Sequence, residues 1–188
     1  MKKYIQAFLL CFLTVLSISG FSQEKPEEDA PKKKNEIKIS EVITTDSLPS
    51  SELLQRAVNW VKIESSRYGK TTGITTGSKA ECMATFPVKP KELNPEFDYT
   101  GKISMKVTIE CKDNKYKYTV SNIRHISASG KSSAGSIDNK VPECGSMVMG
   151  DLVWKKLKGI ALNGVGVVVE DIKEGMLKSS ADAGKDEW

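Results

Sequence analysis

Hydrophobic and polar positions alternate most regularly over "KISMKVTIECKDNKYKYTVS", Lys102–Ser121. Ile103, Met105, Val107, Ile109 and Cys111 fall on one side, and Lys102, Ser104, Lys106, Thr108 and Glu110 on the other. A period of two is that of a strand with one buried face. Asp113-Asn114 suits a two-residue hairpin turn. That turn sets a register. Cys111 stands opposite Tyr116, Ile109 opposite Tyr118 and Val107 opposite Val120, all apolar and on one face. Glu110 then stands opposite Lys117 on the other face, an opposite-charge cross-strand pair. A slip of one residue would put all of these out of phase. Ile123 breaks the alternation after Val120, which predicts a bulge or the sheet edge near Ser121–Asn122.

Other stretches carry weaker patterns. "EIKISEVITTD", Glu36–Asp46, is β-branched and alternating, with Ile37, Ile39 and Ile43 on one side, and reads as a strand. After "SLPSS" the period changes. Leu53, Leu54, Ala57, Val58, Trp60 and Val61 recur at helical spacing, with Ser50 as the expected N-cap and Glu52 in the first turn. Gly69 is the expected helix stop. "KTTGITTG" and "KAECMATFPV" read as strands joined by a turn near Gly77 and Ser78. "KPKELNPEF" reads as loop, because its prolines forbid regular structure. The Ser- and Gly-rich stretch at 126–145 has no period and reads as a long loop, either functional or disordered. From Met147 the spacing turns helical, with Met149, Val153, Leu157 and Ile160 on one face. The valines and glycines of 163–178 lower helix propensity. Val165, Val168, Val169, Ile172, Met176 and Leu177 still fit a helical stripe, so this segment is also assigned to helix. The tail 180–188 is expected to fray.

The N-terminus changes the picture of where the chain works. Lys2 and Lys3 precede an apolar run, Tyr4–Ile18, followed by Gly20 and Ser22. This is the pattern of a secretory signal peptide, with the cut placed after Ser22. A signal anchor is the alternative, but the run is at the lower limit of the roughly 17–25 residues a spanning helix needs. Cys11 lies inside the apolar run rather than after it, which argues against a lipoprotein. Residues 23–35 are rich in proline and charge and read as a disordered tether. Removing 22 residues from 188 leaves 166, a length that suits one domain over 36–179. Removing Lys2 and Lys3 takes the formal charge from +4 to +2, too little for strong attraction to nucleic acid. No later segment is long and apolar enough to span a bilayer. Cys82, Cys111 and Cys144 remain; export allows a disulfide, but the odd count leaves at least one thiol unpaired, and without a Cys-x-x-Cys each reads as a small apolar filler.

The order of elements is β-α-β-β-β-β-α, an α+β protein with helices packed on one face of an antiparallel sheet. The helix "SSELLQRAVNWV" carries Leu54, Ala57 and Trp60 in a Leu-x-x-Ala-x-x-Trp pattern. The next strands carry Gly73 and Gly77, and the hairpin carries Lys115, Tyr116 and Tyr118 as Lys-Tyr-x-Tyr. Over about residues 36–125 this resembles domain of unknown function family 4468, found in exported bacterial proteins and described as having a TBP-like fold. The resemblance implies that fold. It transfers no catalytic residue, and the name of the fold describes shape, so DNA binding does not follow from it.

Candidate chemistry is sparse. "SSRYGKTTG", Ser65–Gly73, holds the Gly-Lys-Thr of a phosphate loop, but Glu64 occupies the place of the first glycine. The stretch also leaves a helix for a strand, the reverse of what such a loop requires. Lys70 therefore reads as ordinary surface charge and Thr71–Thr76 as the next strand. His125 is the lone histidine and would have to serve any Ser-His or Cys-His site, with a loop serine or Cys144 as nucleophile. A solvent-facing strand-end histidine is the plainer reading. A zinc site would need His125, Cys144 and two further ligands, and no spacing supplies them. No calcium loop or cofactor motif occurs, so no metal or cofactor is expected. The outward sheet face gathers Lys102, Lys106, Thr108, Lys117 and Thr119, with Lys112 and Lys115 near the turn. It could dock an anionic surface, or it could be the wet face that antiparallel sheets commonly keep.

The function expected from these observations is a non-catalytic interaction module. It would be exported to the periplasm or beyond and would recognise a protein or envelope component rather than nucleic acid. A hydrolase built on His125 is the alternative. An oligomeric structural protein of the envelope, associating through the C-terminal Val/Met stripe, is the third reading.

Overall fold

In the computed structural model, residues 36–71, 73–88 and 99–179 are described. Two long strands organise them, β5 (Gly101–Lys112) and β6 (Lys115–Ser127). Their register is the one that the alternation and turn chemistry require, with Cys111 opposite Tyr116, Ile109 opposite Tyr118, Val107 opposite Val120 and Glu110 opposite Lys117. Asn114 takes the positive φ of the turn, 62°, a conformation asparagine tolerates. The expected bulge is present. Asn122 and Ile123 stand opposite Met105 alone, and Asn122 has φ 49°. The extra residue reverses the sidedness of all that follows. Ile123, His125 and Ser127 turn inward, where an unbroken alternation would have placed Asn122, Arg124 and Ile126.

β4 (Lys79–Val88) pairs antiparallel with β5 along its whole length. β1 (Ile39–Thr44) lies against β6, and β2 (Gly69–Lys70) and β3 (Ile74–Thr76) lie against β4. β7 (Gly135–Ser136) continues the β6 edge beyond β1. The seven-stranded sheet runs β1-β6-β5-β4-β2, with β3 on β4 and β7 on β6.

Two helices cover one face. α1 (Ser50–Lys62) buries Leu53, Ala57, Trp60 and Val61. α2 (Asp151–Leu177) is one unbroken helix about 40 Å long. It buries Val153, Trp154, Leu157, Ala161, Val165, Val168, Ile172 and Met176 at spacings of one to four residues along one stripe. Packing decides the Val/Gly-rich half, because each large apolar side chain buried contributes about 1.5–3 kcal/mol against a few tenths for propensity. A Cβ on Gly175 would come within 2.5 Å of the Trp60 ring, so the helices close where α2 has no side chain.

Several expectations require correction. Ser50 is not the N-cap of α1. Pro49 holds that position, without a side-chain cap, and the Ser50 N–H donates to Asp113 Oδ1 at 2.7 Å from the β5–β6 turn. α1 ends at Lys62, and Gly69 begins β2 instead of closing the helix. Thr71–Thr76 is not one strand, since β3 starts only at Ile74. The 126–145 stretch is not structureless: β6 continues to Ser127, β7 follows, and Ala134 and Ile137 enter the core. α2 begins at Asp151, four residues after the helical spacing starts, and Leu177 is exposed rather than part of the buried stripe. Ile37 precedes β1 and is exposed. Residues 1–35, the "KPKELNPEF" loop and the tail lie outside the described residues.

Candidate functional site

The helix-free face of the sheet carries the residues singled out from the alternation. Its side chains run in cross-strand rows. One row is Val42, Lys117, Glu110 and Lys79; the next is Ser40, Thr119, Thr108, Glu81 and Ile74. Lys106 Nζ meets Glu81 Oε2 at 2.9 Å, Thr108 donates to Glu81 Oε1 at 3.1 Å, and Lys79 meets Glu110 Oε1 at 2.7 Å. Bonds from these lysines hold both glutamates below the usual carboxylate range. Lys106, Thr108 and Thr119 are gathered at the centre of the face, Lys117 lies toward its hairpin end, and Lys102 sits at the far end between Pro87 and Ile126. The face is a lattice of mixed charge rather than a purely basic one. Glu81 and Lys79 escaped the sequence reading because the β4–β5 register, unlike the hairpin's, has no short turn to set it.

Positive charge without a paired acid collects at the hairpin end. Lys112, Lys115 and Lys117 border a cleft of about 290 Å³ with Val42, Tyr116 and Glu110. Among the described residues these lysines make no ion pair within 4 Å, whereas Glu110 is turned toward Lys79.

His125 is not the solvent-facing residue expected. It has no exposed surface, because the bulge turns it into the core beside Ile103. The Ala134 N–H donates to Nδ1 at 3.2 Å, so Nε2 carries the proton and donates to the Tyr99 carbonyl at 3.1 Å. Burial lowers its pKa, opposed by the Tyr99 bond. Both ring nitrogens are occupied by backbone, leaving none to activate a serine or Cys144. Burial pushes the thiols of Cys82 and Cys111 up to about 11, so both are inert fillers.

The densest polar cluster was missed. Lys70, read as surface charge, has a side chain only 5% exposed and forms an ion pair with Asp171 at 3.5 Å. Its Nζ lies 4.2 Å from the Trp60 ring centre and donates to the Trp60 carbonyl at 2.7 Å, capping the C-terminal end of α1. Asp171 also accepts from Trp60 Nε1 at 2.9 Å, Tyr68 OH at 2.5 Å and Arg67 at 3.1 Å. Arg56 caps α2 in return, donating to the Met176 carbonyl at 3.0 Å. Burial raises the Asp171 pKa, but the Tyr68 bond, the Lys70 charge and bonds from Arg67 and Trp60 outweigh it and hold the carboxyl below its ordinary value. Burial lowers the Lys70 pKa against the pull of Asp171. Lys70, Asp171, Trp60, Tyr68 and Arg67 are bonded to one another, which ties the C-terminal end of α1 to α2. Among the described residues no group of three or more His, Cys, Asp or Glu is placed to hold a metal ion.

This is the architecture of an α+β protein with a TBP-like fold. Residues 40–125 match the family model described as "Domain of unknown function (DUF4468) with TBP-like fold", confirming the resemblance seen in the helix and hairpin patterns. The fold is similar to that of a TBP-like protein from Parabacteroides distasonis, with a TM-score of 0.56 at 14% identity, covering 80% of this chain and 98% of the other. It is also similar to a DUF4468 family protein from Bacteroides ovatus, with a TM-score of 0.51 at 7% identity, covering 80% and 91%. No curated protein matches the chain. None of the described helices is long and apolar enough to cross a membrane.

Proposed function

We propose that the protein is a non-catalytic interaction module, exported by its N-terminal signal, that recognises a protein or other component of the cell envelope. The docking surface is the open sheet face carrying Lys102, Lys106, Thr108, Lys117 and Thr119. The observation that supports this reading is the asymmetry of the sheet. Helices bury one side, while the other presents ordered rows of lysine, glutamate and threonine on rigid strands. Such a face offers directional polar contacts without moving, which favours recognition of a complementary charged surface. The enzymatic alternative loses its base, because both His125 nitrogens are spent. The oligomeric alternative loses its stripe, because Val165, Val168, Ile172 and Met176 pack inward.

Crosslinking in cells tests the reading. The wild-type chain is expected to yield a discrete adduct, and the variant with Lys102, Lys106 and Lys117 changed to Glu is expected to lose it. Recovery of the protein alone from wild-type cells would overturn the proposal. Mass analysis of the mature chain should give Gln23 as its first residue; Met1 retained on protein recovered from the cytosol would remove the export step.

A further inference from the structure

We propose that β1 is a strand-addition site for an extended segment of a partner protein with acidic and apolar side chains in alternation. This rests on the reading of the protein as an interaction module and names the partner's chemistry and its point of attachment. Among the described residues β1 is the outer strand of the sheet and pairs only with β6. The Thr45 N–H donates to the Asn114 carbonyl, and this sets the phase of the ladder. In an antiparallel pair, residues alternate between those that bond the neighbour and those whose N–H and C=O point away. Ile39, Glu41 and Ile43 therefore face β6. Ser40, Val42 and Thr44 turn their backbone groups outward, and none of these meets a partner among the described residues. The opposite edge is broken between β2 and β3, so it offers no equal run.

The side chains beside this edge specify what would pair with it. On the helix side, Ile39 and Ile43 are half-buried and packed against the core, while Glu41 already receives Tyr118 OH at 2.5 Å and Lys173 at 2.8 Å. That side favours apolar residues. On the open side, Val42 is 55% exposed in the cleft bordered by Lys112, Lys115 and Lys117. That side favours carboxylates reaching past Val42 to the lysines. Backbone pairing supplies affinity and the alternating environments supply selectivity. A second copy does not meet this requirement, because β1 itself carries Ser40, Val42 and Thr44 on the open side and no acid.

The test uses the purified chain and a labelled, capped peptide of alternating Glu and Val, matched in length to the six residues of β1. Saturable binding by anisotropy is expected, with slowed amide exchange at Ser40, Val42 and Thr44 and none at Ile39, Glu41 and Ile43. The same peptide with Lys for Glu should not bind. Val42→Pro removes an outward N–H that the ladder does not use, and should weaken binding about tenfold or more. Should Val42→Pro fail to fold, the triple variant of Lys112, Lys115 and Lys117 to Glu leaves the backbone intact and should weaken binding as much. Absence of binding, equal binding of the Lys peptide, or protection that rises with protein concentration alone, the mark of self-pairing, would each overturn the proposal. In cells, an adduct lost on changing Lys102, Lys106 and Lys117 but kept in Val42→Pro would sink strand addition while leaving the open face as the docking surface.

Discussion

Two lysine–carboxylate pairs on opposite sides of the sheet invite comparison. Lys106 and Glu81, on the open face, approach to 2.9 Å with side chains 44% and 34% exposed. Lys70 and Asp171, at the helix ends, are further apart at 3.5 Å, yet only 5% and 21% exposed. Distance alone would rank the first as the stronger. Environment reverses that order. Water screens the exposed pair and competes for both partners. The less exposed pair has lost much of its water, so each charge depends more on the other and on Trp60, Tyr68 and Arg67. The open face is thus free to change partners, and the helix junction is not.

The largest effect that would break this contrast is at Asp171. Asp171→Ala leaves Lys70 buried without its counter-charge and strips a partner from Trp60, Tyr68 and Arg67. A loss of about 3 kcal/mol in denaturant unfolding is expected. A loss no larger than at Glu81 would erase the distinction. Acid titration sharpens it. Because the folded carboxyl sits below its ordinary 3.8, its contribution is fully present above that value and is lost as pH falls below it through the lower folded value. Asp171→Asn should therefore flatten the acid limb of the stability curve measured by chemical denaturation.

Gly175→Ala comes next. Its Cβ would meet the Trp60 ring at 2.5 Å, and the clash, at about 1–3 kcal/mol, outweighs the gain in helix propensity of about 1 kcal/mol. Thermal unfolding should show a lower midpoint. Asp113→Ala removes the cap that the hairpin turn supplies to α1, for about 1 kcal/mol. Smallest is Lys106→Ala on the open face, expected to change stability by about 0.5 kcal/mol or less. That small value is what a docking surface needs if its residues are to be altered without unfolding the protein.

The hairpin was legible because its signals are local. Alternation, turn chemistry and the Glu110–Lys117 pair lie within twenty residues and agree with one another. Ile123 also announced the bulge. Its consequence for His125 was missed, because a shift of one residue exchanges the two faces of everything beyond it. Lys70 was misread for a different reason. It follows Gly69 in a stretch that looks like a surface loop, and nothing within reach in the sequence reveals Asp171, a hundred residues away. Residue type alone points to Ser50 as the cap, whereas the acceptor comes from Asp113 across the fold.

The sequence by itself determined the sheet's central hairpin, its polar and apolar faces and the two helices. All of these follow from periodicities shorter than a few turns of chain. Only the tertiary structure decided which face His125 occupies, that Lys70 and Asp171 tie α1 to α2, and that the outward backbone groups of β1 meet no partner among the described residues. Those outcomes depend on which distant segments lose water together, and a pairing across a hundred residues leaves no period for a single sequence to show.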